Sequence, residues 1–179
     1  MTDQFIIQKI KRPETVEYGF NLLVRKYQER IYWHARKLVV DHDDANDLTQ
    51  EIFVKIWKNI KAFREDSKIF TWIYRIATNE CLNFLNKKKK KFFVPINDVS
   101  EELAKKLDTD FPMDGETIQI KLQKAILNLP EKQRVVFNLK YFDEMKFEEI
   151  SEITGTSTGA LKASYHHARK KIEKYLNND

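Results

Sequence analysis

Glycine and proline are scarce, with four of each in 179 residues. The frequent turn signals of a β-sandwich or barrel are therefore missing, and neither fold is expected. Cysteine occurs once, at Cys81, which excludes an internal disulfide; its place on the apolar side of a helical pattern marks a buried thiol rather than a nucleophile or metal ligand. No apolar run approaches the roughly 18 residues of a membrane span, and the N-terminal MTDQFIIQKIKRP lacks a signal-peptide core. A soluble, cytoplasmic protein without direct membrane insertion is the expectation. Catalytic signatures are missing too: no Gly-rich phosphate loop, HExxH, CxxC or GxSxG occurs. The histidines, His34, His42, His166 and His167, form no ligand set, since the adjacent pair would point about 100° apart on a helix. The acids of DHDDANDLTQE lack the glycine and spacing of a calcium loop. No catalytic residue, metal or cofactor is expected.

What is present is charge in helical periodicity. Charged residues make up 33% of the chain, for a net +5. Such a balance permits a polyanion partner without establishing one. With so few breakers, long helices and an all-α fold follow. The first pattern runs over 16–39, with Phe20, Leu23, Val24, Tyr27, Ile31, Ala35 and Leu38 on one side and Pro13 just ahead of it. Asp41, Asp43 and Asp44 then offer capping carboxylates to a second helix, whose inward stripe is Ala45, Leu48, Ile52, Ile56 and Ile60. A third covers about 68–89, with Phe70, Ile73, Ile76, Ala77, Cys81 and Phe84 inward. Three helices with short joints make a bundle.

After Lys87–Lys91 the character changes. From Asn97 to Glu116 seven acids oppose two lysines, a net 2 − 7 = −5, and Pro95, Pro112 and Gly115 punctuate the segment. This reads as an acidic linker, with a short helix possible near 101–107. A second module starts near Thr117. Ile118, Leu122, Ala125, Ile126 and Leu129 form one stripe, Pro130 opens the next helix, and Val135, Val136, Leu139 and Phe142 continue the core.

The last stretch is the most informative. In FEEISEITGTSTGALKASYHHARKKIEK, Phe147, Ile150 and Ile153 fall on one side of a short helix, with Glu148, Glu149 and Glu152 turned away. Gly155 can take the left-handed conformation that ends it, and Thr156 or Ser157 can cap the next helix. There Leu161, Tyr165, Ala168, Ile172 and Leu176 turn inward, while Lys162, Arg169, Lys170, Lys171 and Lys174 oppose Glu173 alone, a formal +4. The pattern is that of a helix-turn-helix whose second helix fits a DNA major groove. A cationic last helix also arises simply to solvate a surface and offset a helix dipole. On the third helix Thr71, Arg75, Asn79, Asn83 and Lys87 recur every four residues behind an exposed loop at 64–68. Amides and hydroxyls there can pair with base edges and Phe63 can stack on an unpaired base. Spacing alone does not separate this from an ordinary solvated face.

Three segments in combination are far more specific. DANDLTQEIFVKIWKNIKAF, then SKIFTWIYRIATNECLNFL, and later LPEKQRVVFNLKYFDEMKFEEISEITGTSTGALKASYHHARKKIEKYL resemble a bacterial RNA polymerase sigma factor of the sigma-70 family, extracytoplasmic-function group. The likeness spans Phe20 to Leu176 except the linker. It implies two small helical domains: a three-helix region 2 over 14–91, a linker over 92–116, and a four-helix region 4 over 117–177. It implies core polymerase docking through Asp44, Asp47, Gln50 and Glu51. It implies capture of the melted minus-10 strand by Phe63, Arg64, Ser67, Lys68, Arg75, Asn79 and Asn83, and minus-35 duplex reading by Thr158, Gly159, Lys162, Ser164, His166 and Arg169. In the family the linker threads into polymerase, which suits a net charge of −5. The expected partners are core RNA polymerase, promoter DNA and an anti-sigma protein that could itself be membrane-anchored; the free chain is expected to be a monomer. Where the family commonly has GTVKSRLHRAR this chain has GALKASYHHAR, so two arginines become Ser164 and His167. Each lost phosphate contact should flatten the salt dependence of minus-35 binding by about one unit. The main rival is a stand-alone helix-turn-helix regulator, dimeric on a palindrome; the rival from a different class is a nucleic-acid-processing enzyme, which would need metal-dependent turnover.

Overall fold

The computed structural model describes residues 1–92 and 118–177. The linker expected over 92–116 and its possible short helix therefore lie almost wholly outside the described residues. Among those residues there are eight α-helices and no strand: α1 (Asp3–Ile10), α2 (Val16–Val39), α3 (His42–Asn59), α4 (Ile69–Phe92), α5 (Ile118–Leu127), α6 (Glu131–Tyr141), α7 (Phe147–Thr154) and α8 (Thr158–Asn177). None is long and apolar enough to cross a membrane.

Helix ends follow the expected chemistry. Asp41 caps α3, its carboxylate accepting from the Asp44 amide at 2.9 Å. Gly155 closes α7 at φ 68°, in the left-handed region, and Ser157 Oγ accepts from Ala160 N at 3.3 Å to start α8. The inward stripes of α2, α3 and α4 meet as anticipated, with Leu23, Tyr27, Ile31, Ala45, Ile52, Ile56, Ile73, Ala77 and Cys81 buried. Burial pushes the Cys81 thiol up to about 12, which leaves it unreactive.

Helix α1 is an addition to the expected three-helix bundle. Ile6, Ile7 and Ile10 are buried against α2. The side chain of Asp3 accepts from Lys26 Nζ at 2.6 Å and from the Tyr27 hydroxyl at 2.7 Å. Gly19 makes the close approach possible, because a Cβ there would stand 2.7 Å from the Ile10 amide nitrogen. Three other expectations need correction. Ile118 is not part of a buried stripe but 73% exposed, at the first turn of α5. Thr71 is not on the solvent face but buried, its single hydroxyl proton shared between the Lys68 carbonyl at 2.8 Å and Glu152 Oε2 at 2.9 Å. Glu149 and Glu152 accordingly face α4 rather than solvent alone.

The last of these reflects the main architectural finding. One continuous core runs from α1–α4 into Val135, Val136, Leu139, Met145, Ile150, Ile153 and Leu161, so the helix-turn-helix half is packed directly on the N-terminal bundle. A second small core, around Ala125, Ile126, Leu129, Phe137, Ala168 and Ile172, ties α5, α6 and α8 together. At the seam Asp143, in the α6–α7 turn, enters the end of α2: its carboxylate lies 3.4 Å from Lys37 Nζ and 3.7 Å from the Nδ1 of buried His34. Nε2 of His34 is 3.0 Å from the Thr78 hydroxyl, which orients the ring. Burial alone would raise the Asp143 carboxyl, but His34 and Lys37 outweigh it and hold the group below the ordinary carboxylate range.

Two outcomes follow. Gly19→Ala should lower stability by about 1–3 kcal/mol in thermal or denaturant melts, because backbone rather than a flexible side chain must move; an unchanged melting temperature would contradict this packing of α1. A depressed folded pKa means that the contribution of Asp143 is present above the unfolded value, about 4, and is lost as pH falls through the folded value. The stability difference between wild type and Asp143→Asn should hence be constant above about pH 5 and shrink in more acid solution, as read by melts across pH.

Candidate nucleic-acid interface

Helix α8 presents the larger cationic surface. Leu161, Ala168 and Ile172 anchor it, and at 100° per residue its opposite side carries Gly159, Lys162, Ala163, His166, Lys170 and Lys174, all exposed. Of the expected duplex-reading residues, Gly159, Lys162, His166 and Arg169 are exposed, and Thr158 and Ser164 are half-buried at its edges. A side chain at Gly159 would meet nothing within 4 Å, so internal packing does not require glycine there. Arg169 Nη2 lies 3.3 Å from Glu173, an exposed pair of the kind worth at most about 1 kcal/mol and free to exchange.

The second surface is the loop 63–68 and the outer row of α4. Phe63 is half-buried, tilted against Trp72 with ring centroids 5.3 Å apart. It also borders a cavity of about 360 Å³ walled by Ile7, Ile10, Lys11, Val16 and Ile69. Glu65, at φ 62°, sits in a region costly for a residue with a Cβ, and is held there by an ion pair with Lys11. The N-terminal turn thus braces the loop, a role that a reading of local periodicity does not reveal. Arg64, Asn79 and Asn83 are exposed and Ser67 is half-buried. Lys68 and Arg75 are already engaged by the other half of the chain. Lys68 Nζ pairs with Glu149 Oε1 at 3.0 Å, and Arg75 Nε donates to the Glu152 carbonyl at 2.8 Å, joined there by Nη2. Burial would raise the Glu149 carboxyl, but the Lys146 amide and Lys68 hold it below its usual value.

A third surface lies on α3. Asp47, Gln50 and Glu51 share an open groove with Val54, Lys55 and Glu80. Asp44 sits one turn earlier, paired with Lys88 Nζ at 3.2 Å. Two apolar neighbours were not anticipated: Val54 is 52% exposed and Trp57 38%, the latter resting on Phe20 at 4.8 Å. Exposed apolar positions following an acidic turn form the kind of ridge that protein partners bury.

Comparison with known proteins follows this division. The family Sigma-70 region 2 matches residues 23–91, and Sigma-70, region 4 matches residues 119–172. The ECF RNA polymerase sigma factor SigW of Bacillus subtilis is 31% identical, over 95% of this chain and 94% of its own length. The RNA polymerase sigma-H factor of Pseudomonas aeruginosa is 29% identical, over 97% and 93%. Among solved structures, CnrH in complex with the cytosolic domain of CnrY superposes with a TM-score of 0.73 at 20% identity, covering 99% of this chain and 98% of that one. The sigma factor RpoE of Bartonella quintana, in complex with the anti-sigma factor NepR, gives 0.68 at 21% identity, covering 89% and 98%.

Proposed function

The chain belongs to the sigma-70 family, in its extracytoplasmic-function group, and from that premise we propose how its surfaces divide the work of a promoter-specific initiation factor. As such a factor it binds core RNA polymerase and directs initiation by reading the minus-35 duplex and capturing the minus-10 strand. In our assignment residues 14–91 form the polymerase-docking and strand-capturing region, 92–116 the linker and 117–177 the duplex-reading region. The factor carries no chemistry of its own; its work is binding and strand separation.

Physical chemistry supports each assignment. On α3, Asp44, Asp47, Gln50 and Glu51 supply acceptors of fixed register for basic polymerase residues, and Val54 and Trp57 supply the apolar area that makes such contacts persist. On the loop and α4, Phe63 offers a stacking face, Asn79 and Asn83 offer amides for base edges, and Arg64, Ser67, Lys68 and Arg75 suit backbone and phosphate. Unstacking a base costs a few kcal/mol, which such contacts offset. On α8, Thr158, Gly159, Lys162, Ser164, His166 and Arg169 are the duplex-facing set. The observation that carries this reading is that Asn79 and Asn83 on α4, and His166, Lys170 and Lys174 among the polar and cationic residues of α8, are exposed on the faces opposite the buried stripes. An anti-sigma protein is the proposed regulator, since the sigma factor RpoE of Bartonella quintana was solved in complex with the anti-sigma factor NepR, and the similarly folded CnrH in complex with the cytosolic domain of CnrY.

A gel shift separates this reading from a stand-alone regulator. Duplex promoter DNA should be bound specifically only with core polymerase present; tight specific binding by the chain alone would sink the assignment. Asn79→Ala combined with Asn83→Ala should reduce promoter opening by roughly 10-fold or more while leaving minus-35 duplex binding intact, as read by permanganate reactivity and footprinting. Val54→Asp should weaken core polymerase binding by about 10-fold without changing the melting temperature, because this side chain supports nothing inside the fold.

A further inference from the structure

Behind the loop assigned to the melted strand lies a cavity of about 360 Å³ that the assigned surfaces leave unused. Its floor is aliphatic, formed by Ile7 and Ile10 of α1, Val16 of α2, and Ile60 and Ile69 on either side of the loop. The four isoleucines are buried, so the floor belongs to the core of the bundle. A void lined by core side chains forfeits the dispersion contacts its lining would otherwise make. Water gains little there, because an aliphatic floor offers it no hydrogen-bond partner.

The rim has a different character. Lys11 and Lys61 are the charged residues that line the cavity, both are exposed, and no acid among the described residues joins them. Lysine stems cover apolar surface while the ammonium stays in water, which puts both cations at the mouth. An aliphatic floor beneath a cationic rim selects a ligand with an apolar tail and an anionic head. Size narrows the class further. At roughly 30 Å³ per heavy atom, the share of one water molecule in its liquid, the cavity holds about 12 heavy atoms. That is one carboxylate of about ten carbons, and too little room for the paired chains of a phospholipid.

The rim also couples the cavity to the loop. Glu65 sits at φ 62°, a left-handed conformation costly for a residue with a Cβ, and its carboxylate pairs with the Lys11 ammonium. A carboxylate seated at the rim competes for that same ammonium. Phe63 lines the cavity from the loop side and rests on Trp72. Occupancy therefore reaches the loop twice, by taking the partner of Glu65 and by bearing on Phe63.

We propose that this cavity is a binding site for a medium-chain aliphatic carboxylate, its tail against Ile7, Ile10, Ile60 and Ile69 and its head between Lys11 and Lys61. Binding releases Glu65 from its left-handed conformation and loosens the loop, so strand capture falls when the site is filled. The second step rests on the minus-10 assignment above; the first does not.

Titration calorimetry on the full chain tests the site with hexanoate, octanoate, decanoate and tetradecanoate, each below its micellar concentration. Each added methylene should tighten binding about three- to fourfold up to decanoate, and the gain should stop by tetradecanoate, whose tail outgrows the cavity. Lys61→Gln should weaken decanoate about threefold and leave decanol, which has the same tail without the charge, unchanged. Val16→Phe places a ring in the cavity and should abolish binding. If that variant fails to fold, as its melting curve shows, the Lys61→Gln comparison decides. A gain that continues through tetradecanoate, a Lys61→Gln chain that holds decanoate as well as wild type, or undiminished binding by folded Val16→Phe overturns the site. So does an absence of binding at millimolar decanoate.

The coupling is read from promoter opening with core polymerase, by permanganate reactivity. Saturating decanoate should lower opening about fivefold or more with the wild-type chain and leave Val16→Phe unaffected, and Lys11→Gln should lower it with no ligand present. Asn79→Ala with Asn83→Ala, in the same assay, distinguishes the failures. Where that pair lowers opening but bound decanoate does not, the coupling is wrong and the strand assignment stands. Where the pair leaves opening intact, the strand assignment is wrong, and calorimetry alone decides the cavity.

Discussion

An eight-residue amphipathic helix cannot hold itself together in water, and α7 is such a helix. Its nucleation is unfavourable and it has only two turns of hydrogen bonds to offset that, so Ile150 and Ile153 must be buried on something. In this structure that something is the continuous core shared with α2 and α4, as well as α8. Everything distinctive about the arrangement descends from that need. With the apolar stripe of α7 inward, Glu149 and Glu152 are carried to the edge of α4, where Lys68, Thr71 and Arg75 are the available donors. The polar seam is thus a consequence of apolar packing, and its exposed ion pairs are individually weak.

The same logic explains what was legible in the amino-acid sequence. Elements long enough to repeat their period announced themselves: the 24 residues of α2, the acid-capped α3 and the cationic α8 all show their buried stripe over three or more turns. Helix α1 did not, because eight residues give too few repeats, and its stability comes from a partner, Gly19, that no local pattern links to it. Ile118 failed for the opposite reason: it completes a stripe by spacing, but at the first turn of α5 it is 73% exposed.

Site residues divide along a similar line. Exposure of Asn79, Asn83, Lys162 and Arg169 could be read from helical phase, since the buried stripe fixes where the opposite face points. The engagement of Lys68, Thr71 and Arg75 could not, because their partners lie 77 to 81 positions away along the chain. Val54 and Trp57 were missed through a one-way rule. An apolar residue off the buried stripe is usually unremarkable, and only its clustering beside Asp47, Gln50 and Glu51 in three dimensions makes it a candidate contact.

The two departures from the family's recognition run take on different weights once α8 is seen in place. Ser164 lies on the flank that Lys171 shares seven residues later, and Lys171 Nζ is bonded to Gln133 of α6 at 3.2 Å. That flank faces the neighbouring helix, so an arginine there would reach phosphate only from the side. His167 is exposed and shares its side with Lys170 and Lys174, both free of the core. The cationic field therefore persists but is displaced one to two turns toward the end of the helix. A field so placed still attracts the duplex over a Debye length of about 8–10 Å, and it does so with fewer charges at the bases being read. On the proposed duplex-facing assignment, attraction and discrimination are separated along a single helix, with the C-terminal lysines holding the duplex and Gly159, Lys162 and His166 left to distinguish it.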